Sequence, residues 1–118
     1  MASEATLDRA AAALSLACIA HCIALPILAA ALPFMAAFAH AEWVHWVLAP
    51  TAVVASVTVM VRAHGARTAG FVVPATLGMV LVTGALFAER FGIGETVPTV
   101  AGGILIAGAH LYRLLRHR

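Results

Sequence analysis

Cys18 and Cys22 are the only cysteines of the 118-residue chain, and they sit in the run Ala17-Cys18-Ile19-Ala20-His21-Cys22-Ile23-Ala24-Leu25-Pro26. On a helix, thiols at i and i+4 lie one above the other, and His21 borders the same face. Three soft-metal ligands thus converge without any long-range folding. Pro26 lacks an N–H and cannot donate to the carbonyl of Cys22. The freed carbonyl can take a water, a serine hydroxyl or an ion, and the local bend can open a pocket. In apolar surroundings an empty thiol is neutral, and a metal displaces its proton on binding. Two thiolates against one doubly charged ion sum to zero, so the loaded site escapes most of the penalty of placing net charge in hydrocarbon. Sulfur ligands favour mercury, cuprous copper or zinc over magnesium or calcium. The plainer alternative makes both cysteines small apolar packing residues. A disulfide between them would be strained, because i and i+4 side chains project in similar directions. His21 and Pro26 favour the ligand reading.

The histidines extend the candidate set. An ionisable group within a membrane span is a functional candidate by default, which applies to His21 and His110. His110 is expected near the inner end of the last span, where it could meet His64 and form a metal or proton site. Its alternative is a neutral imidazole hydrogen-bonded between helices. His40, Glu42 and His45 cluster around the first loop, with Glu89 and Glu95 in or beside the other outer loop. His45 could serve there as an outer ligand or simply lie at headgroup level. His117, in a basic tail, is expected to be solvated or near anionic lipid. The candidate metal ligands are therefore Cys18, His21, Cys22, His45, His64 and His110.

Composition says what must position them. The chain is 64% apolar and 10% charged, with a mean hydropathy of +1.02. Soluble domains are roughly 45–50% apolar and about 25% charged. After Arg9 the charges divide the sequence into four apolar stretches, giving expected spans of about 10–32, 43–61, 68–88 and 97–113. Arginines flanking the short last span can snorkel to the headgroups. Each stretch is a near-continuous apolar run, not the alternating pattern of a membrane barrel, so backbone groups pair within helices. The expected fold is an all-α integral membrane protein, a bundle of four transmembrane helices forming one domain over 1–118. Pro26, Pro33, Pro50 and Pro74 predict kinks or helix ends.

Arg62 and Arg67 follow the second span, and Arg113, Arg116 and Arg118 follow the fourth, whereas Arg90 is the lone arginine of the two other loops. The positive-inside rule then puts both termini in the cytoplasm, with Trp43 and Trp46 at the outer interface and Tyr112 near the inner one. Glu4 and Asp8 accompany Arg9, so the positive flank of a secretory signal is missing and the first segment reads as a mature helix. The glycines at 70, 78, 84, 102, 103 and 108 read as surfaces where helices approach closely.

The motif Cys18-x-x-His21-Cys22 with Pro26, in the first of four spans, resembles the MerC-domain membrane proteins. Further along, the likeness takes in Glu42-Trp43-Val44-His45-Trp46, Arg62-Ala63-His64, and the stretch from Glu95 through Gly102-Gly103 to His110-Leu111-Tyr112-Arg113. The resemblance implies passage of mercuric ion through a bacterial-type inner membrane, with the paired cysteines of the first span receiving the metal. This chain spaces its pair one residue wider than the Cys-x-x-Cys of the transporter that gives the family its name, and its tail has no cysteine.

Metal transport or binding is accordingly the leading function. A second class is electron transfer, with His21, His45, His64 and His110 as haem ligands. A third is a non-catalytic membrane subunit. Small multidrug exporters use a carboxylate in their first span, and this span has none. The cysteine pair lacks the electropositive, partly exposed setting of a redox thiol, so no enzyme activity is expected. No phosphate-binding loop and no basic nucleic-acid domain is present. The expected partners are the lipid bilayer, a metal ion (Hg2+, Zn2+ or Cu+) and a second copy of the chain.

Overall fold

The computed structural model describes residues 3–31 and 41–116, apart from the side chains at 26, 29 and 64. Four long helices make up the fold: α1 (Glu4–Ala31), α2 (Glu42–Arg62), α3 (Ala69–Ala88) and α4 (Thr96–Arg116). Each contains a stretch long and apolar enough to cross a membrane. The molecule measures 46 Å along its longest axis, which matches a bilayer of about 40–45 Å including headgroups. Large apolar side chains such as Leu16, Val54, Val80 and Ile104 point outward, each more than half exposed. That outer surface requires lipid rather than water.

The helices alternate in direction. Asp8 of α1 meets His110 of α4, and seven residues further along α1 the Ser15 carbonyl lies against Gly103, seven residues earlier in α4. At the opposite end, Cys22 of α1 meets His45 near the start of α2. Both ends of the described chain therefore lie at one end of the bundle, called here the terminal end. Exposed Arg62 and Arg67 are there too, whereas Trp43, Trp46 and Arg90 occupy the far end. Trp46 meets Phe87 edge-on at the far end, and Arg116 stacks over Tyr112 at the terminal end.

Helix α4 is central because two adjacent glycines let it touch two neighbours. A Cβ at Gly102 would sit 2.7 Å from the Gly78 carbonyl oxygen of α3 and 2.6 Å from Val82. A Cβ at Gly103 would meet Ile19 of α1 at 3.0 Å. Small residues permit this approach, and packing in lipid depends on it. Gly102→Ala is expected to lower stability by about 1–3 kcal/mol through overpacking. Gly108→Ala, whose Cβ meets nothing within 4 Å, should be neutral. Thermal unfolding in detergent compares the two.

One feature departs from the sequence expectations. The first helix starts at Glu4, six residues before the expected span, and draws Asp8 into the interior at 2% exposure. Of the proline positions expected to mark kinks or helix ends, 26, 50 and 74 lie inside described helices and so are not ends. Neighbouring helices in a bundle tolerate such interruptions. Pro33 lies outside the described residues. The buried face of α1 reads Asp8, Ala11, Ala12, Ser15, Cys18, His21 and Cys22, spaced at three and four residues as one helical stripe. Polar and small groups face inward and large apolar groups face outward.

Candidate metal centre

At the far end of the bundle, α1 and α2 bring three ligand atoms together. His45 Nε2 lies 3.1 Å from His21 Nδ1 and 3.1 Å from Cys22 Sγ. All three atoms fall within 4.8 Å of one another. The two imidazoles meet edge to face, with centroids 4.6 Å apart at 88°. His21, Cys22 and His45 are each less than a tenth exposed. The helical register explains the convergence: His21 and Cys22 are consecutive on the inward side of α1, and His45 faces them from the first turn of α2.

Bonds of about 2.0–2.3 Å to nitrogen and sulfur imply ligand-to-ligand edges of roughly 3.3–3.7 Å in a tetrahedral site. The observed separations bracket those edges, so small side-chain rotations suffice to admit an ion. Cys18 lies one turn deeper on the same face, 2% exposed, outside the three-atom cluster. Both thiols are free.

Glu95, which the sequence places only at a loop, is a contributor the ligand search by spacing misses. Its Oε1 stands 3.2 Å from His45 Nδ1, an electrostatic contact without the alignment of a hydrogen bond. The turn after α3 delivers it there. Gly92 adopts a left-handed φ of 69°, and Ile93 N–H donates back to the Ala88 carbonyl, closing α3 and reversing the chain into α4. A carboxylate on Nδ1 favours a proton on that nitrogen and turns the Nε2 lone pair toward Cys22 and His21, the usual support of a metal-bound histidine. Its signal in the sequence is a lone acidic residue opening an apolar span.

The other candidates lie elsewhere. His110 is fully buried near the terminal end, where Nδ1 is 2.5 Å from Asp8 Oδ1 and Nε2 is 3.0 Å from Ser56 Oγ. Arg113 donates to Asp8 and to Glu4, completing a buried charged network. Both ring nitrogens of His110 are thus engaged by partners from α1 and α2. The side chain of His64, and all of His40 and His117, lie outside the described residues. His21 and His45, which as haem ligands would flank an iron from opposite sides, instead touch each other.

A family model described as MerC mercury resistance protein matches residues 8–115. No curated protein and no solved structure matches the chain.

Proposed function

Because the chain belongs to the MerC mercury resistance protein family, we propose that it carries a soft divalent cation, mercuric ion first, across a bacterial-type inner membrane. The observation that supports this most directly is the meeting of His21, Cys22 and His45 from two helices within 4.8 Å. One thiol and two imidazoles suit mercury and zinc and discriminate against magnesium and calcium. Arg62, Arg67, Arg113 and Arg116 at the terminal end argue for a cytoplasmic position of that end. The ligand cluster then faces the outer side and is the receiving site.

Cation arrival displaces the Cys22 proton, and the resulting thiolate and the Glu95 carboxylate together balance a double positive charge. Cys18, one turn inward, is the next sulfur: its thiol would replace an imidazole on the ion and pass its proton to the imidazole so released. Glu95 acts through His45, holding its ring.

Calorimetric titration of the purified, reduced protein with mercuric, zinc and cuprous ions tests the reading. Tight binding by wild type and its loss in a Cys18→Ala, Cys22→Ala double variant is the expected result, and equal binding by the two proteins would remove the cysteines from the site. In the same titration, Glu95→Gln should weaken affinity by about 10–100-fold without changing stoichiometry.

A further inference from the structure

We propose that the cavity at the terminal end of the bundle, lined by the start of α3 and by Arg113 and Arg116 of α4, binds a phosphate group, carried by an acidic phospholipid or free in solution. The cavity has a volume of about 250 Å³ and is lined by Gly65, Thr68, Phe71, Tyr112, Arg113 and Arg116. Gly65, Thr68, Tyr112 and Arg116 are exposed, so it opens outward at that end. A water takes about 30 Å³ of the liquid, and a tetrahedral anion of four oxygens is accommodated with part of an ester attached. The site lies at the opposite end of the bundle from His21, Cys22 and His45 and is independent of the transport reading.

Two sets of unsatisfied donors adjoin the cavity. Helix α3 runs for 20 residues, and no side chain caps its first turn. The N–H groups of Phe71 and Val72 both donate to the Thr68 carbonyl, whereas those of Ala69 and Gly70 have no protein acceptor among the described residues. Free N–H groups and the positive end of the helix dipole make such a helix start attractive to an anion. The second set is on α4. Arg113 is 4% exposed, its terminal nitrogens donate to Asp8 and Glu4, and its Nε has no partner among the described residues. A buried donor left unpaired costs free energy that an acceptor in the adjoining cavity recovers.

Arg116 and Tyr112 complete the mouth. Arg116 donates to the Tyr112 hydroxyl at 2.9 Å and stacks over the ring, its guanidinium carbon 5.4 Å from the ring centre. Tyr112 is itself seated against Gly70, where an added Cβ would lie 3.4 Å from the ring. The stack holds a planar, permanently charged donor fork at the opening, a shape that matches phosphate oxygens. Arg9, Arg62, Arg67, Arg113 and Arg116 stand at this end with Glu4 and Asp8, so five arginines against two carboxylates leave an excess of three positive charges among the described residues. Tyrosine and arginine belong at headgroup depth. Phosphate esters are the abundant anion there, and basic pockets between spanning helices take phospholipid headgroups.

The test uses the full chain, purified in a neutral detergent and freed of native lipid, with two probes. Inorganic phosphate is titrated by calorimetry, and phosphatidylglycerol is followed by native mass spectrometry with zwitterionic phosphatidylcholine as the control. Saturable binding of at least one probe is expected: phosphatidylglycerol alone identifies the lipid as the source, inorganic phosphate alone the free anion, and both the phosphate group itself. Thr68→Asp supplies a side-chain carboxylate to the first turn of α3, so it should raise the melting temperature while weakening binding by about tenfold or more. Those opposite signs separate a lost site from a damaged fold. Arg116→Gln should weaken binding by about tenfold, whereas Arg9→Gln, an exposed arginine that does not line the cavity, should bind as wild type does. Binding of neither probe, wild-type binding by Thr68→Asp, or equal losses in Arg9→Gln and Arg116→Gln would overturn the proposal. Equal retention of phosphatidylcholine and phosphatidylglycerol without binding of inorganic phosphate would overturn it too.

Discussion

Cys22→Ala is expected to reduce the affinity for mercuric or zinc ion by at least about 100-fold, and Cys18→Ala to reduce it by much less. The asymmetry follows from placement. Cys22 Sγ touches His45 Nε2 at 3.1 Å, whereas Cys18 lies outside the three-atom cluster. Losing Cys22 removes the only sulfur among three ligands, and the two imidazoles that remain form a harder site with no anionic ligand of its own. Losing Cys18 leaves the receiving cluster whole and should slow passage rather than binding. Competition titration against a chelator gives the affinities, and vesicle uptake gives the passage rate. Equal losses for the two single variants would indicate a bis-thiolate site made by α1 alone, with His45 as a bystander.

Arg113→Ala should destabilise the bundle by about 3–5 kcal/mol, the largest single effect expected outside the ligand cluster. Arg113 is 4% exposed and donates to Asp8, which is 3% exposed, and to the half-exposed Glu4. Removing the guanidinium strands the Asp8 charge in a low-dielectric interior with only His110 and Ser56 nearby. The Asp8→Ala, Arg113→Ala double variant should be less damaged than the sum of its singles, because no unpaired charge is left buried. Unfolding in detergent, followed by circular dichroism, measures all three variants. A fully additive double variant would mean that the two side chains act separately.

The four spans and the identity of the cysteine-bearing helix were legible from residue types, because charge cannot be left in lipid and the charged residues divide the chain into apolar stretches. Which side chains meet across the interior was not. Helix rotation is poorly encoded here: both faces of α1 are apolar enough for lipid, so its buried stripe has no sharp hydropathic contrast. The local pair His21 and Cys22 could be read from spacing. Its completion by His45 depends on how α1 and α2 turn toward each other, and Glu95 depends on a left-handed turn at Gly92. The burial of Asp8, which precedes the expected span, was not legible for a related reason. An acidic residue near a terminus reads as solvated flank, and only the partner Arg113, 105 residues away, makes its burial tolerable. The partners Asp8 and Ser56 of His110 were equally illegible, because both come from other helices.

The polar stripe on α1 also has a mechanical meaning. One stiff helix bears Cys22 near the far end and Asp8 near the other, on the same side, like two cams on one shaft. The shaft bears on α4 at Gly103, where the Ile19 side chain and the Ser15 carbonyl seat against the glycine. Any turn or slip of α1 therefore moves Cys22 and Asp8 together, because one helix carries both. The two ends of the bundle can be geared together by a single rigid part.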